Sequence, residues 1–218
     1  MRKLLVATIG FTERYPLRAI ISTGITAGDK ILLITAEPIE NQTRDAISKI
    51  EEFKRNYIEK DAGKVKLEVL TVDPLQVADA VLKIKQKILL ESENYDKIVV
   101  NLSGGMRALI IETLMAVLLL KKEAQIFIEL ENFKGVIELN NNELKNLLGK
   151  EITGLEREIL ELLVKEDLRL ADIVKKLAKP KSTIYKALKK LEKYGIVIRV
   201  AKSGGIYYKT TRLAKILL

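Results

Sequence analysis

The sequence predicts an α/β domain with a mostly parallel sheet and helices on both faces, followed by a small basic domain of different architecture. Over the first 140 residues, short apolar segments of strand length alternate with longer segments whose apolar residues have helical spacing. This alternation is typical of parallel sheets connected by crossover helices. The charge changes near the same point: residues 1–150 contain 22 Lys and Arg against 21 Asp and Glu, whereas residues 151–218 contain 16 against 8. Such asymmetry indicates a nucleic-acid-binding module joined to a second module.

The elements of the first domain follow from apolar periodicity and turn residues. The predicted strands are Leu4–Thr8, Lys30–Ala36, Val65–Thr71, Lys97–Asn101 and Gln125–Leu130, with Gly135–Leu139 as a hairpin partner. The predicted helices are Pro16–Ala27, Gln42–Lys60, Asp73–Ser92 and Met106–Lys122. Asp73 is the expected N-cap of the third helix, and Pro74 is its expected first-turn proline. The order predicts a Rossmann-like sheet.

The run Asn140–Asn142 is expected to end the first domain. The predicted organisation is a first domain at residues 1–140, a linker or short helix at 141–152, and a second domain at 153–218.

The second domain is predicted to contain three short helices and a hairpin. Its expected elements are the helix Leu155–Lys165 capped by Thr153, the helix Leu170–Leu177, a third helix capped by Ser182 and ending at Gly195, and the strands Ile196–Val200 and Ile206–Lys209 around the turn Lys202–Gly205. Helix, helix, turn, helix, hairpin is the order of a winged helix-turn-helix. The glycines of the last turn suit a hairpin.

Composition excludes several kinds of site. The chain has no Cys and no His, which excludes disulfides, thiolate or imidazole metal sites, and catalytic triads that need either residue. Carboxylate-bound Mg²⁺ stays compatible with this composition, but no feature of the sequence specifically calls for it. The expectation is no catalytic residues, no metal and no cofactor. Residues 1–8 lack the apolar length of a signal peptide, and the longest uncharged apolar run, Thr113–Leu120, is shorter than the ~20 residues that span a bilayer. These features predict a soluble cytoplasmic protein with no membrane partner.

The third helix of the second domain carries the clearest functional signal. Ile184, Leu188 and Leu191 recur at helical spacing and are expected to face the core, which leaves its lysines outward. The N-terminal part of this helix enters the major groove in helix-turn-helix proteins, and the wing lies beside it. The expected contacts to double-stranded DNA are Lys181, Ser182, Thr183, Tyr185, Lys186, Lys189, Lys190, Arg199 and Lys202.

A simpler interpretation is that these lysines only solvate a surface helix. The helix also lacks Arg, Asn and Gln, the usual readers of guanine and adenine, so base-specific contacts stay open. The stretch Leu170–Val200 resembles the winged-helix domains of archaeal and bacterial transcription regulators. That resemblance implies DNA binding, although some winged helices bind proteins.

Two glycine-containing loops follow predicted strands of the first domain. They are Thr8–Arg14 and Asn101–Arg107, each at the carboxyl end of its strand, where open α/β sheets bind ligands. Adjacent glycines at a helix start expose amide groups that, with the helix dipole, suit a phosphate or another anion. Neither loop is a P-loop or a dinucleotide fingerprint. A glycine pair at such a turn is also compatible with a purely geometric role.

Residues 1–140 resemble a CRISPR-associated Rossmann-fold (CARF) domain in the loops Gly10–Glu13 and Ser103–Arg107. Together with a winged helix, the chain is similar to the CARF transcription regulators found beside archaeal CRISPR loci. The resemblance implies a homodimer that binds a cyclic oligoadenylate, commonly cyclic tetra-adenylate, across its two-fold axis as an effector. It implies the ligand-binding residues Thr8, Gly10, Phe11, Thr12, Glu13, Ser103, Gly104, Gly105, Met106 and Arg107.

Three functions are compatible with these features. The first is a ligand-responsive transcription regulator, either activator or repressor. The second is an enzyme that cleaves its cyclic ligand, as some CARF domains do, with Thr12, Ser103 and Arg107 aligning the reaction. The third is a dimerisation platform without a ligand. The nearly apolar segment Met106–Leu120 fits either burial in the domain core or exposure of one face to a partner subunit.

Overall fold

The computed structural model describes residues 1–148, 152–211 and 214, and the chain divides into two compact units, Met1–Asn142 and Glu143–Leu218. The N-terminal unit contains one six-stranded sheet. Its strands are β1 (Lys3–Thr8), β2 (Lys30–Ala36), β3 (Lys66–Val72), β4 (Lys97–Asn101), β5 (Ala124–Glu129) and β6 (Val136–Asn140). The order across the sheet is β3-β2-β1-β4-β5-β6, with only β6 antiparallel to its neighbour. The predicted α/β class is therefore confirmed.

Helices connect the strands and cover the sheet. They are α1 (Arg14–Thr23), α2 (Asn41–Phe53), α3 (Glu59–Ala62), α4 (Val77–Ser92), α5 (Arg107–Leu118) and, after β6, α6 (Asn141–Leu148). The predicted continuation of the first helix to Ala27 is wrong. Gly24 adopts a left-handed conformation with φ of 63°, and its N–H bonds to the carbonyls of Ile20 and Ile21, which is a usual way to end a helix.

The predicted helix Gln42–Lys60 is divided into two α-helical segments. After α2, Lys54–Ile58 forms a π-helical turn that leads into α3. The side chain of Lys54 is buried there, with its Nζ 3.0 Å from Glu51 Oε1 and 3.2 Å from the Val65 carbonyl. The ammonium group is thus buried with its partners in place, as a buried charge requires.

Asp73 does not cap the helix that follows β3, so this prediction is wrong. Its Oδ1 accepts a hydrogen bond from the Leu75 N–H at 2.9 Å, and its carbonyl accepts from the Gln76 N–H at 3.1 Å. Asp side chains favour local turns of this kind over helix interiors. Asp73 and Pro74 therefore form a turn, and α4 begins only at Val77.

The helix α5 has two different faces. One face buries Leu109, Thr113 and Val117 inside the domain, whereas Ile111 and Met115, with Leu119 just beyond the helix end, remain exposed as an apolar stripe. Burial in the domain core therefore holds for one face of the segment Met106–Leu120, and contact of the exposed face with a partner subunit stays a prediction. No helix within the described part of the chain is long and apolar enough to cross a membrane.

Glu112 lies on the buried face of α5. Only 1 % of the residue is exposed, and neither carboxylate oxygen has a hydrogen-bond partner among the described residues. Burial raises the pKa of Glu112, and the negative charge of Asp73 raises it further. A buried carboxyl without a partner costs stability because it loses its hydration and gains nothing in return.

Replacing Glu112 with Met should therefore increase the free energy of unfolding at pH 7, by about 1–3 kcal/mol.

Because the folded-state pKa of Glu112 is raised, its carboxyl group takes up a proton on folding. The free energy of unfolding that depends on the protonated carboxyl group is fully present below the ordinary pKa of 4.5. It is lost as pH rises through the folded-state pKa. Denaturant unfolding from pH 4 upward should show the wild type losing stability relative to Glu112→Gln. The exposed Glu93 gives a control, Glu93→Gln; equal pH profiles for the wild type and Glu112→Gln would contradict the prediction.

The C-terminal unit contains three helices and a hairpin within the described residues. They are α7 (Gly154–Lys165), α8 (Leu170–Leu177), α9 (Lys181–Lys193), β7 (Val197–Lys202) and β8 (Gly205–Thr210). The predicted cap of the first helix is confirmed: the Glu156 N–H donates to Thr153 Oγ1 at 3.3 Å, and the Thr153 N–H donates to Glu156 Oε2 at 2.9 Å. This reciprocal pair is a capping box.

Ser182 does not cap α9, contrary to the prediction. The helix begins at Lys181 with Pro180 as N-cap, and the Pro180 carbonyl accepts hydrogen bonds from the N–H groups of Thr183 and Ile184. Proline at the boundary presets a helix entry, so Ser182 lies in the first turn and faces solvent. Ile184, Leu188 and Leu191 are buried in the core of this unit, as their spacing predicts.

Candidate ligand cavity and nucleic-acid interface

Adjacent parallel strands bring the two glycine loops together. The register pairs Ala7 of β1 with Asn101 of β4, so the chain leaves both strands at the same edge of the sheet. Thr8 is fully buried between the two loops, where its Oγ1 donates a hydrogen bond to the Gly104 carbonyl. Thr8 therefore lies behind the site and fastens one loop to the other, without lining the cavity in front.

The glycines allow the loops to pack directly against each other. A Cβ on Gly10 would lie 3.1 Å from the Cα of Gly105, and a Cβ on Gly104 would lie 3.1 Å from the Thr8 carbonyl oxygen. Gly105 also has φ of 96°, a conformation that side chains disfavour. These glycines have a packing role whatever the site binds, which accounts for their presence without a nucleotide fingerprint.

A cavity of about 660 Å³ opens in front of the packed loops. The predicted residues that line it are Gly10, Phe11, Thr12, Ser103, Gly104, Gly105, Met106 and Arg107. Glu13 does not line it: its carboxylate lies 3.4 Å from Lys49 Nζ, and a hydrogen bond from its own backbone N–H, together with Lys49, lowers its pKa. Phe11 is 63 % exposed, which leaves an aromatic ring available to a ligand.

Donor groups meet at the start of α5. Ser103 Oγ accepts a hydrogen bond from the Glu129 N–H at 2.8 Å, which leaves its hydroxyl proton to be donated elsewhere. Met106, the N-cap, makes no side-chain hydrogen bond to the first turn of this 12-residue helix. Arg107 is exposed and has no ion-pair partner among the described residues. A helix N-terminus, a hydroxyl donor and an unpaired guanidinium together suit an anion.

A second groove, of about 520 Å³, lies near α3 and β3 and has different chemistry. Its buried cation Lys30 already has two carboxylate partners, with Nζ 2.6 Å from Glu68 Oε2 and 2.8 Å from Glu91 Oε2. Burial by itself lowers the pKa of Lys30, but the hydrogen bonds to Glu68 and Glu91 raise it more, so the pKa lies above its ordinary value. The groove also contains Lys64 and Lys66, but it lacks the glycine loops and the helix N-terminus that border the cavity beside Arg107.

The cavity has a third wall that the sequence analysis missed. It comes from the end of β2, the loop before α2 and the first turn of α2, through Thr35, Ala36, Pro38, Glu40 and Thr43. Because β2 is the neighbour of β1 on the side away from β4, its carboxyl end necessarily flanks the first glycine loop. Knowledge that β2 lies beside β1 would have predicted this wall, but apolar periodicity does not give the order of strands in a sheet.

In the C-terminal unit, α9 presents the predicted contact residues to solvent. Lys181, Ser182, Thr183, Tyr185, Lys186, Lys189 and Lys190 are all exposed. Two of the lysines have partners: Lys190 Nζ lies 3.2 Å from Glu156 Oε1, and Lys189 Nζ lies 3.5 Å from Glu192 Oε2. Lys181 and Lys186 have no carboxylate partner among the described residues, so their charges are fully available to phosphates.

The two predicted cations of the wing are ion-paired within their own unit. Arg199 Nε donates to Glu192 Oε1, and Lys202 Nζ lies 2.6 Å from Asp167 Oδ2. Burial by itself raises the pKa of Glu192, but the hydrogen bond from Arg199 lowers it more, so the pKa lies below its ordinary value. A phosphate contact by either cation would require exchange of its present partner. Lys193, which periodicity places outward, is exposed and has no such partner among the described residues.

Residues 3–140 match the family model for the Csa3 CRISPR-associated Rossmann-like domain. The chain belongs to this family. Residues 150–213 match the family model of the sugar-specific transcriptional regulator TrmB. The Csa3 match therefore contains both glycine loops and the third wall of the cavity, whereas the TrmB match contains α7, α8, α9 and the hairpin.

The Csa3-family chain is similar to one curated relative along most of its length. It is 22% identical over 199 residues to Csa3 of Saccharolobus solfataricus, a protein whose name relates it to CRISPR loci, and the match covers 89% of this chain and 79% of the relative.

Solved structures also resemble it. Can2 from Sulfobacillus thermosulfidooxidans, in complex with cyclic tetra-adenylate, covers 99% of this chain with 10% identity and a TM-score of 0.44, and 63% of that chain is matched. The transcriptional repressor BigR from Xylella fastidiosa matches 35% of this chain and 77% of its own, with 22% identity and a TM-score of 0.32.

Proposed function

We propose that this protein is a dimeric CRISPR-associated transcription regulator whose N-terminal unit binds a cyclic oligoadenylate, cyclic tetra-adenylate in the first instance. Ligand binding changes the affinity of the winged-helix unit for double-stranded DNA. The observation that carries the proposal is the cavity beside the packed glycine loops, where the unpaired Arg107 meets the N-terminus of α5. Membership of the Csa3 family supports the same function.

The chemistry of the cavity fits a phosphodiester. Each linkage carries one negative charge, which the Arg107 guanidinium and the first-turn amides of α5 would stabilise, while the hydroxyl proton of Ser103 is donated to a phosphate or ribose oxygen. Phe11 and Met106, both exposed at the cavity, supply apolar surface for a base. Aromatic side chains commonly stack on nucleobases in this way.

A dimer fits both units. The exposed apolar stripe of Ile111, Met115 and Leu119 is surface that association would remove from water. Two copies of the cavity related by a two-fold axis would suit a ligand with repeated units, and two winged helices would read paired half-sites. Regulation then requires that the ligand bind two arrangements of the dimer with different affinity.

Calorimetric titration with cyclic and linear oligoadenylates tests this proposal. One cyclic species should bind with one ligand per two chains, more tightly than its linear counterpart, and its presence should change the DNA affinity in a parallel titration. Absence of oligoadenylate binding, or a DNA affinity independent of the bound ligand, would contradict the proposal. Conversion of the cyclic ligand into linear product would favour the cleavage function, with Glu40 and Glu131 as the carboxylate bases that line the cavity.

A further inference from the structure

We infer that the third wall of the cavity is a nucleobase pocket that recognises the 6-amino group of adenine. Thr35 and Thr43 supply hydroxyl groups, and Glu40 supplies a carboxylate. The inference rests on the proposed function, since it assumes an oligoadenylate ligand. It goes further by assigning the choice of base to the segment between β2 and α2, and the capture of phosphate to the segment before α5.

Two largely buried threonines in this wall have hydroxyl groups that lack a partner within the described part of the protein. Thr35 is 3 % exposed and Thr43 is 4 % exposed. Among the described residues, neither side chain takes part in a hydrogen bond, although buried hydroxyls elsewhere do, as Thr113 does with the Leu109 carbonyl at 2.8 Å. Neither hydroxyl oxygen is cut off from solvent, because the fully buried unpartnered oxygens of the described residues are those of Glu112. Both hydroxyls are therefore open to hydrogen bonds from water or from a ligand in the cavity. Because both residues line the same cavity, a ligand that enters it can satisfy both hydroxyls.

The carboxylate of Glu40 determines which kind of polar edge fits. An ionised carboxylate only accepts hydrogen bonds, so it favours a base with an exocyclic amino group over one with a carbonyl at the same position. Glu40 is the N-cap of α2 but makes no side-chain hydrogen bond to that helix. Its carboxylate is thus available to the cavity. The edge of adenine has a ring nitrogen beside its amino group. The threonine hydroxyls can both donate and accept hydrogen bonds, so they can donate to that nitrogen.

Charge separates this wall from the phosphate region. Arg107 is the one basic residue among those lining the cavity in the described structure, and it lies on the segment that begins α5. The wall formed by Thr35, Ala36, Pro38, Glu40 and Thr43 carries no positive charge. Phosphates are therefore favoured beside Arg107, and a neutral base with apolar faces is favoured between Ala36, Pro38 and the polar edge.

The test compares two ligands with four proteins. Cyclic tetra-adenylate and its inosine counterpart differ only at the edge of the base: inosine has a carbonyl in place of the 6-amino group and a proton on N1. They are titrated calorimetrically into the full-length wild type, Glu40→Gln, Thr43→Val and the control Glu37→Gln. Glu37 is exposed on the same loop but does not line the cavity. Thr43→Val keeps the side-chain shape and removes an unbonded hydroxyl, so its thermal melting should not fall below that of the wild type.

The wild type and Glu37→Gln should prefer the adenine ligand by about tenfold or more, which is the usual scale for a hydrogen bond to a charged group. Glu40→Gln should reduce that preference severalfold, and Thr43→Val should weaken adenine-ligand binding by about fivefold. Equal binding of the two ligands by the wild type, or an unchanged preference in Glu40→Gln, would overturn the base assignment alone. Failure of the wild type to bind either ligand would overturn the proposed function as well.

Discussion

Replacing Lys181 and Lys186 with Gln should reduce the affinity for a mixed-sequence DNA duplex by roughly a thousandfold at physiological salt. Both lysines lie in the first half of α9, are exposed, and have no carboxylate partner among the described residues. In the proposed dimer, the two substitutions remove four cations from the predicted DNA-contacting surface. Each phosphate contact contributes about 0.9 to the slope of log affinity against log salt, so the slope should fall by about 3 to 4.

Lys165 and Lys175 provide the matched control for this experiment. Both are exposed in the same unit, on α7 and α8, and neither has a carboxylate partner among the described residues. The Lys165→Gln, Lys175→Gln double variant has the same net charge, so long-range attraction to DNA decreases equally. An equal loss of affinity in the two double variants would contradict a specific role for α9. Oligoadenylate titration of each variant checks that the N-terminal unit is intact.

Periodicity predicted which residues of the C-terminal unit face solvent, but not which charges are free. Lys190 and Lys202 are exposed as expected, yet they pair with Glu156 and Asp167. These carboxylates belong to other parts of the chain, and Asp167 is 35 residues from Lys202. Sequence spacing along one helix or strand carries no information about such partners, because they depend on how the elements pack. The charge that the predicted DNA-contacting surface leaves unpaired is therefore smaller than the sequence suggests, and on α9 it comes from Lys181, Lys186 and Lys193 among the described residues.

The N-terminal unit shows the same division between local and long-range information. The strands and both glycine loops could be predicted, because apolar runs and glycine pairs are local signals. The wall containing Thr35 and Thr43 could not, because it depends on β2 lying beside β1 in the sheet. The burial of Glu112 could not be predicted either. Glu112 interrupts the apolar pattern of α5, and only the packing of that helix shows that Glu112 lies on its buried face.

Local competition explains the error at Asp73. An Asp followed by Pro suits either a helix N-cap or a tight turn, and both use the same carboxylate oxygens as acceptors. In the structure, the carboxylate accepts from the Leu75 N–H, a bond that either arrangement can contain, but residues 74–76 form a turn and α4 begins only at Val77. The choice between the two arrangements depends on where the following helix must lie on the sheet, which the dipeptide itself does not encode.

Replacing Arg107 with Gln should weaken cyclic tetra-adenylate binding by about 10- to 100-fold, the loss expected for a charge-assisted hydrogen bond. Arg107 is the basic residue that lines the cavity in the described structure, and its first-turn position places its charge beside the α5 amides. Arg14→Gln is the control, because Arg14 is exposed in the first turn of α1 and does not line the cavity.

Both variants lose one positive charge, so a difference between them in calorimetric affinity isolates the contact made by Arg107 from the overall field of the domain. The loss in Arg107→Gln should also diminish at high salt less than a pure surface attraction would, because a contact within a cavity is screened less. Wild-type affinity in Arg107→Gln would show that the α5 amides alone hold the phosphate. An equal loss of ligand affinity in the two variants would instead assign the effect to net charge. That result would contradict specific recognition of a phosphate by the cavity.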